Sequence, residues 1–448
     1  MSSRIAELGA LISSNTQKID EYLVANSLPP PSFDEDGPVK LNLSAEIESA
    51  RAALLNATAE LQALLQSPDD LLRPILNGTS LEAISRYDMA RKIPVGGSIS
   101  FQELADQCGL YEPDVRRIVR FAIAHHFVFR EPRKGFVAHS AASRRLVDTQ
   151  GARDGLGVMF DDCYQSFGRT VEAMEKYKSQ DMDKTGWALA HNGQSLFETF
   201  GKQPYKAKRF AGSMAAFNAS PLMSHKHIAS NFPWETLHNS TVVDLGGSHG
   251  ELCAALALAA PSLHFIVQEL PRTVQSVDRA TLPAAAAPRI AFMEHDFFTP
   301  QPVVAAAYTF RQIFHNWADA NVVRILRSLI PALRSGARVL VHDLILPEPG
   351  KLPLMQERQI RAMDMIMLSL CNAKERDEED WRQVFADADP RFRVLRVFTP
   401  TGAALGIVDV VWEVALPSMY STPYDFHSPL ARSLVLSLLS SVKLYPLA

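Results

Sequence analysis

The chain has 448 residues, 47% of them hydrophobic, with 45 basic and 49 acidic side chains and a formal charge of -4. That length exceeds one ordinary domain and predicts two, and the near-balanced charge gives no electrostatic case for a nucleic-acid or membrane partner. Four cysteines, Cys108, Cys163, Cys253 and Cys371, are too sparse for a disulfide framework and lack metal-ligand spacing.

The N-terminal stretch from Met1 has no long apolar core, so neither a signal peptide nor a membrane span is expected and a cytoplasmic address follows. Residues 5–28 and 44–65 carry apolar side chains at helical spacing on either side of a proline-rich breaker, 29–38. Residues 100–140 read as helix (101–110), turn, helix (114–126) and hairpin (127–130 and 135–138), and Ser100 with Glu103 has the spacing of a capping box. This is a winged-helix pattern. Arg116, Arg117 and Arg120 on its second helix raise DNA binding as one reading, but acidic residues interleave and no basic arm follows, which favours an architectural role. Residues 151–235 form a helical connector rich in Phe, Met and Tyr. Within it Phe160, Tyr164, Phe210, Met214 and Phe217 are candidates either for a ligand pocket or for ordinary core.

The run Val242-Val243-Asp244-Leu245-Gly246-Gly247-Ser248-His249-Gly250 reads as a strand and a glycine turn. An apolar helix follows over 251–258, then a second strand, Phe265-Ile266-Val267, closed by Gln268-Glu269-Leu270. Glycines 246, 247 and 250 remove the Cβ atoms that would keep a ligand off the turn, and a carboxylate at the tip of the next strand can accept both hydroxyls of a ribose. That is nucleoside chemistry at the carboxyl edge of a parallel sheet. A glycine turn alone is shared with dinucleotide enzymes, so the later motifs decide. Glu294-His295-Asp296-Phe297-Phe298 follows a third strand, where an Asp-Phe pair can bond an adenine amino group and cover its ring. Residues 308–317 read as a fourth strand that passes Arg311 and carries His315, then Asn316 and Trp317, at its tip; 336–347 gives a fifth strand with Asp343 near its end, and 406–413 a closing one. The chain continues to Ala448, and its apolar stretch 430–439 needs a partner surface on its own protomer or a dimer mate.

In this order the motifs resemble class I S-adenosylmethionine-dependent O-methyltransferases, in the caffeate-type small-molecule branch as it appears in fungi, across residues 85–415. The resemblance implies an α/β fold, a doubly wound seven-stranded Rossmann-like sheet, with an N-terminal helical and winged-helix domain used for dimerisation. The expected divisions are 1–150, a connector 151–235, a catalytic domain 236–415 and an extension 416–448. The implied cofactor is S-adenosylmethionine, leaving as S-adenosylhomocysteine, and the implied partners are a second copy and an aromatic or polyketide-like acceptor. Asp244, Gly246, Gly247 and Gly250 would border its methionine and ribose portion, Glu269 the ribose hydroxyls, and Leu270, Asp296 and Phe297 the adenine. Arg311 and Trp317 match the family's basic residue and its aromatic neighbour. Ser248 departs from a commoner third glycine. Arg209 to Met214 resembles the segment that packs on a planar acceptor, so Phe210 and Met214 lead the acceptor candidates, joined by Phe160, Tyr164, Phe217, Met367 and Asn372.

The chemistry would rest on His315. A phenol, with a pKa near ~10, is a poor nucleophile at neutral pH, and a histidine titrating near ~6.5 can take its proton while the site holds the oxygen close to the methyl carbon. Asp343 and Glu375, in Ala373-Lys374-Glu375-Arg376, match the carboxylates that would hold the imidazole. Asp343 is shorter than the Glu of plant members, and Asn316 replaces a usual Asp, which removes one charge that would raise the base's pKa. No metal is expected. Three functions fit these residues: O-methylation of a phenolic or enolic secondary metabolite, a pericyclase or cyclase that keeps S-adenosylmethionine for its charge, and a non-catalytic winged-helix regulator. Retention of His315, Asp343 and Glu375 favours methyl transfer.

Overall fold

The computed structural model describes residues 3–72 and 77–413, so the extension 416–448 lies outside the described residues. Two long helices open the chain, α1 (Arg4–Ala25) and α2 (Ala45–Leu65), the latter capped by Ser44. They pack on each other through few buried side chains, Leu8, Ile19 and Leu23 of α1 and Ala50 and Ala57 of α2, and leave Ile5, Leu11, Leu55 and Leu64 exposed.

The next unit joins β1 (Ser98–Ser100), α3 (Phe101–Cys108), α4 (Glu112–His126), β2 (Arg130–Arg133) and β3 (Phe136–Ala138). Its strands form an antiparallel sheet in the order β1-β3-β2. The Ser100–Glu103 capping box is present, and α4 starts two residues earlier than its apolar pattern suggests because Pro113 is favourable in a first helical turn. Every arginine of the DNA-binding reading is ion-paired: Arg116 with Glu112, Arg117 with Asp114 and Arg120 with Glu131. The proline-rich linker also docks here, with Phe33 stacked on Phe127 at 4.4 Å between ring centroids.

The large sheet has seven strands: β4 (Thr241–Leu245), β5 (His264–Glu269), β6 (Ile290–Glu294), β7 (Ala307–Arg311), β8 (Arg338–His342), β9 (Phe392–Phe398) and β10 (Ile407–Trp412), in the order β6-β5-β4-β7-β8-β10-β9. The first five are parallel, and β10 runs antiparallel to both β8 and β9. Strands buried on both faces read as continuous apolar runs, which is why Val242-Val243 and Phe265-Ile266-Val267 stood out. One face packs Val243, Phe310, Val339 and Val341 against Ile325, Trp381 and Phe385; the other packs Val242, Phe265 and Leu340 against α5 (Glu251–Ala259) and the connector residues Ile228, Phe232 and Trp234. The strand order reverses between β5 and β7, beside the carboxyl end of β4, and the glycine turn sits at this switch point. The connector and α6 (Leu354–Cys371) share a third apolar cluster above the sheet edge. Among the described residues no helix is long and apolar enough to cross a membrane.

Candidate active site

The glycine turn needs its glycines for two different reasons. Gly246 has φ +70°, and a Cβ there would also run into the Ile313 side chain; Gly247 lies so close over the Asp244 carboxylate that a Cβ would collide with it. Ser248 adopts φ 51°, a left-handed conformation that costs a non-glycine residue about 1 kcal/mol. The Glu269 carboxylate closes the turn: one oxygen accepts the Ser248 N–H at 3.3 Å and the other the Leu270 N–H at 2.9 Å. Its acceptor oxygens therefore stand at the tip of β5 in a fixed orientation, suited to a pair of ribose hydroxyls. The glycine backbone, this carboxylate and the adjoining aromatic residues fit S-adenosylmethionine.

Asp244 lies differently from expectation. It is buried under the turn, accepting from Thr309 Oγ1 at 2.7 Å and from Cys253 Sγ at 3.7 Å, and burial pushes its pKa up to about 7 against those two bonds. It supports the turn from below. Arg311 is likewise turned away: its guanidinium donates to the Met223 carbonyl and the Gln312 side chain, both at 2.8 Å, tying β7 to the connector.

The aromatic group is assembled as the spacing suggests. Trp317 meets Phe297 at 6.1 Å and Phe298 at 4.8 Å between centroids, and Asp296 accepts the Phe298 N–H at 3.0 Å. Phe197, from the connector, stacks on Trp317 at 6.2 Å; nothing in the sequence around it signalled that contact. Leu270 is exposed at the start of the helix Pro271–Ser276, beside Glu269.

The periodicity predicts a fourth strand running to His315, but β7 ends at Arg311. Gln312 takes φ 55°, and the chain turns through a 3-10 segment, Phe314–Asn316, that carries the histidine. There His315 Nδ1 lies 3.1 Å from Glu375 Oε1, so Nε2 is the nitrogen left to face an acceptor, and the side chain keeps 15% of its surface accessible. Asp343 reaches the same turn through its main chain: its Oδ2 accepts the His315 backbone N–H at 3.2 Å. The two carboxylates thus divide the work, Glu375 holding the ring and Asp343 the backbone. Burial disfavours the charged imidazolium, but the Glu375 bond and the charges of Asp343 and Glu375 outweigh it and raise the His315 pKa above its ordinary value. Burial raises both carboxylates in turn, opposed by their contacts with His315.

Of the acceptor candidates, Phe210 and Met367 share one apolar cluster with Met363, Ile366 and Phe200, the Phe200 and Phe210 rings 4.9 Å apart. Met214 and Phe217 follow on the same helix, Pro204–Asn218, with Phe217 exposed. Three candidates are occupied elsewhere. The Tyr164 hydroxyl accepts the Gly78 N–H at 2.9 Å, and Phe160 packs on the N-terminal core from a π-helical turn, Val158–Cys163. The Asn372 amide donates to the carbonyls of Ser179, Asp181 and Lys184 and so ties down that loop.

Residues 172–390 match the O-methyltransferase domain family. The chain is 50% identical over 415 residues to the grayanic acid biosynthesis cluster O-methyltransferase of Cladonia grayi, covering 92% of this chain and 89% of that protein. Its fold matches the crystal structure of OxaC in complex with SAH and oxaline (TM-score 0.69, 21% identity, 91% of this chain and 100% of that one). It also matches a structure described as a pericyclic reaction enzyme (TM-score 0.67, 22% identity, 90% and 99%). The chain therefore belongs to the S-adenosylmethionine-dependent O-methyltransferases, in the branch that includes enzymes of fungal secondary metabolism.

Proposed function

We propose that this enzyme methylates a phenolic or enolic hydroxyl of a secondary metabolite with His315 as general base. The observation that carries this reading is the His315–Glu375 pair, with Asp343 on the backbone of the same turn. Bound S-adenosylmethionine supplies an electrophilic methyl group on a sulfonium. Gly246, Gly247, Gly250 and Glu269 hold its methionine and ribose portion, and Leu270, Asp296, Phe297 and Trp317 its adenine end. Phe210, Met214 and Met367 form a slot for a planar acceptor, whose hydroxyl proton passes to His315 Nε2 as the oxygen–carbon bond forms and the sulfur–carbon bond breaks. Glu375 accepts a hydrogen bond from Nδ1–H throughout, which fixes the tautomer and stabilises the imidazolium. Incubation with S-adenosylmethionine and a set of mono- and dihydroxylated aromatic acceptors, read as a product mass gain of one methyl group, tests it; conversion of a polyene with no methyl gained supports the pericyclase reading instead.

The unequal geometry of the carboxylates gives a ranked expectation. His315 must be neutral to act, so its raised pKa places the acid limb of kcat/KM above that of a free histidine. Glu375→Gln removes a charge that raises this pKa, so the limb moves to lower pH and turnover falls. Asp343→Asn, which touches only the backbone, moves the limb in the same direction with a smaller loss of rate. A pH series of kcat/KM on both variants checks the order, and an Asp343 variant slower than the Glu375 variant would contradict it.

The same reading makes the N-terminal 1–150 region a dimerisation domain in a cytoplasmic homodimer. The exposed Ile5, Leu11, Leu55 and Leu64 of α1 and α2 support it. Sedimentation velocity at micromolar concentration is expected to show a dimer; a monodisperse monomer would contradict that.

A further inference from the structure

We propose that Arg376 is a positioning residue for the catalytic base, clamping the backbone of the turn whose imidazole Glu375 holds. This rests on His315 as the base. Arg376 is fully buried, and its guanidinium donates to the Phe314 carbonyl at 3.0 Å and the Trp317 carbonyl at 2.8 Å, the two carbonyls that flank the histidine. Asp319 takes two further bonds, at 2.9 and 2.7 Å, and the Trp381 ring lies 5.3 Å away. The main chain of Arg376 completes the clamp. Its carbonyl accepts the Leu346 N–H at 2.9 Å, and it forms an isolated parallel bridge with Ile345, three residues after β8.

Adjacent residues therefore act on one turn: Glu375 bonds the imidazole, Arg376 the carbonyls on either side of it, and the segment leading from Asp343 is fastened to Arg376. Asp364 adds a third hold, accepting the Glu375 N–H at 2.9 Å. Planar guanidinium suits this place because its fork of five N–H donors reaches the two carbonyls and makes two bonds to Asp319 from one rigid group, whereas an ammonium has three donors on a single nitrogen. A buried arginine is also a fixed positive charge. The charged groups around the imidazole are Asp343 from the end of β8, Glu375 and Lys374 from the segment after α6, Asp364 from α6, Asp319 from the helix Asp319–Leu329 and Arg311 from β7. Against the anions, Arg376 favours the neutral, proton-accepting ring.

The test is nitrogen-15 NMR titration of histidine side chains in the full-length protein saturated with S-adenosylhomocysteine, with the His315 signal identified by its loss in His315→Gln. Arg376→Met is expected to raise the His315 pKa by about half a unit or more and to slow single-turnover methylation of a phenol such as orcinol by ~10- to 100-fold. Arg376→Lys keeps the charge, so the His315 pKa stays near wild type while turnover still falls. Asp319→Asn, whose carboxylate is partly exposed and so tolerant of change, removes the anion that masks the guanidinium and lowers the His315 pKa. If Arg376→Met does not fold, the last two variants decide. A wild-type His315 pKa in Asp319→Asn together with wild-type turnover in Arg376→Lys would overturn the inference. Wild-type turnover in His315→Gln would instead remove the base assignment, and the pKa shifts would still be read.

Discussion

Replacing His315 with glutamine is expected to lower methyl transfer by ~10²- to 10⁴-fold, the usual range for loss of a general base, while leaving affinity for S-adenosylmethionine nearly intact. The expectation follows from where the ring is held. Glu375 takes Nδ1, and the histidine stands on a turn beyond the end of β7, two residues from Ile313, which packs against Gly246 of the cofactor turn. On the proposed reading the imidazole acts on the acceptor and the nucleoside is cradled by other groups. An acceptor whose hydroxyl is already ionised at the assay pH is expected to lose less. Calorimetric titration of the variant with cofactor separates the two effects, and a large loss of affinity would show that His315 is part of the cofactor site.

The second large effect belongs to Glu269. Glu269→Ala is expected to weaken S-adenosylmethionine binding by about 1.5–3 kcal/mol if the lost ribose bonds are charge-assisted. The carboxylate also accepts the Ser248 and Leu270 amides, so the alanine variant additionally loosens a turn already strained at Ser248. Glu269→Gln keeps the shape and one acceptor oxygen and is expected to fall between the two. Calorimetry on both variants checks the order; unchanged affinity in Glu269→Ala would place the ribose elsewhere.

The parallel strands were legible because strands covered on both faces carry near-continuous apolar runs, and the glycine turn because its backbone geometry and close approach exclude side chains. The end of β7 was not. Phe310 and Phe314 both enter the same core, their rings 4.4 Å apart, so the apolar pattern runs straight through the left-handed break at Gln312. The edge strand β9 hides for another reason: Arg393 and Arg396 alternate with half-covered apolar residues, as on any amphipathic surface.

At the candidate site, residue type singled out His315, Glu269 and Glu375, whereas direction had to come from the structure. Asp244 and Arg311 occupy the expected strand ends, yet one faces down into the core and the other across to the connector. Tyr164 and Asn372 look like ligand contacts by chemistry and are spent on backbone groups of distant segments. Arg376 was hidden by its surroundings. In the run Lys374-Glu375-Arg376-Asp377-Glu378-Glu379-Asp380 a charged residue reads as solvated, and only the fold shows Arg376 buried beside Glu375.

The central claim, base-assisted methyl transfer at His315, is tested most directly by single-turnover transfer of an isotopically labelled methyl group from S-adenosylmethionine to a neutral phenolic acceptor across a range of pH. Wild type is expected to move the label to the acceptor oxygen with a rate that rises with pH through the raised pKa of His315. His315→Gln is expected to lose that step and recover only as the phenol itself ionises. Label transfer by the variant at the wild-type rate at every pH, or turnover of an acceptor by wild type with the label left on the cofactor, would contradict it.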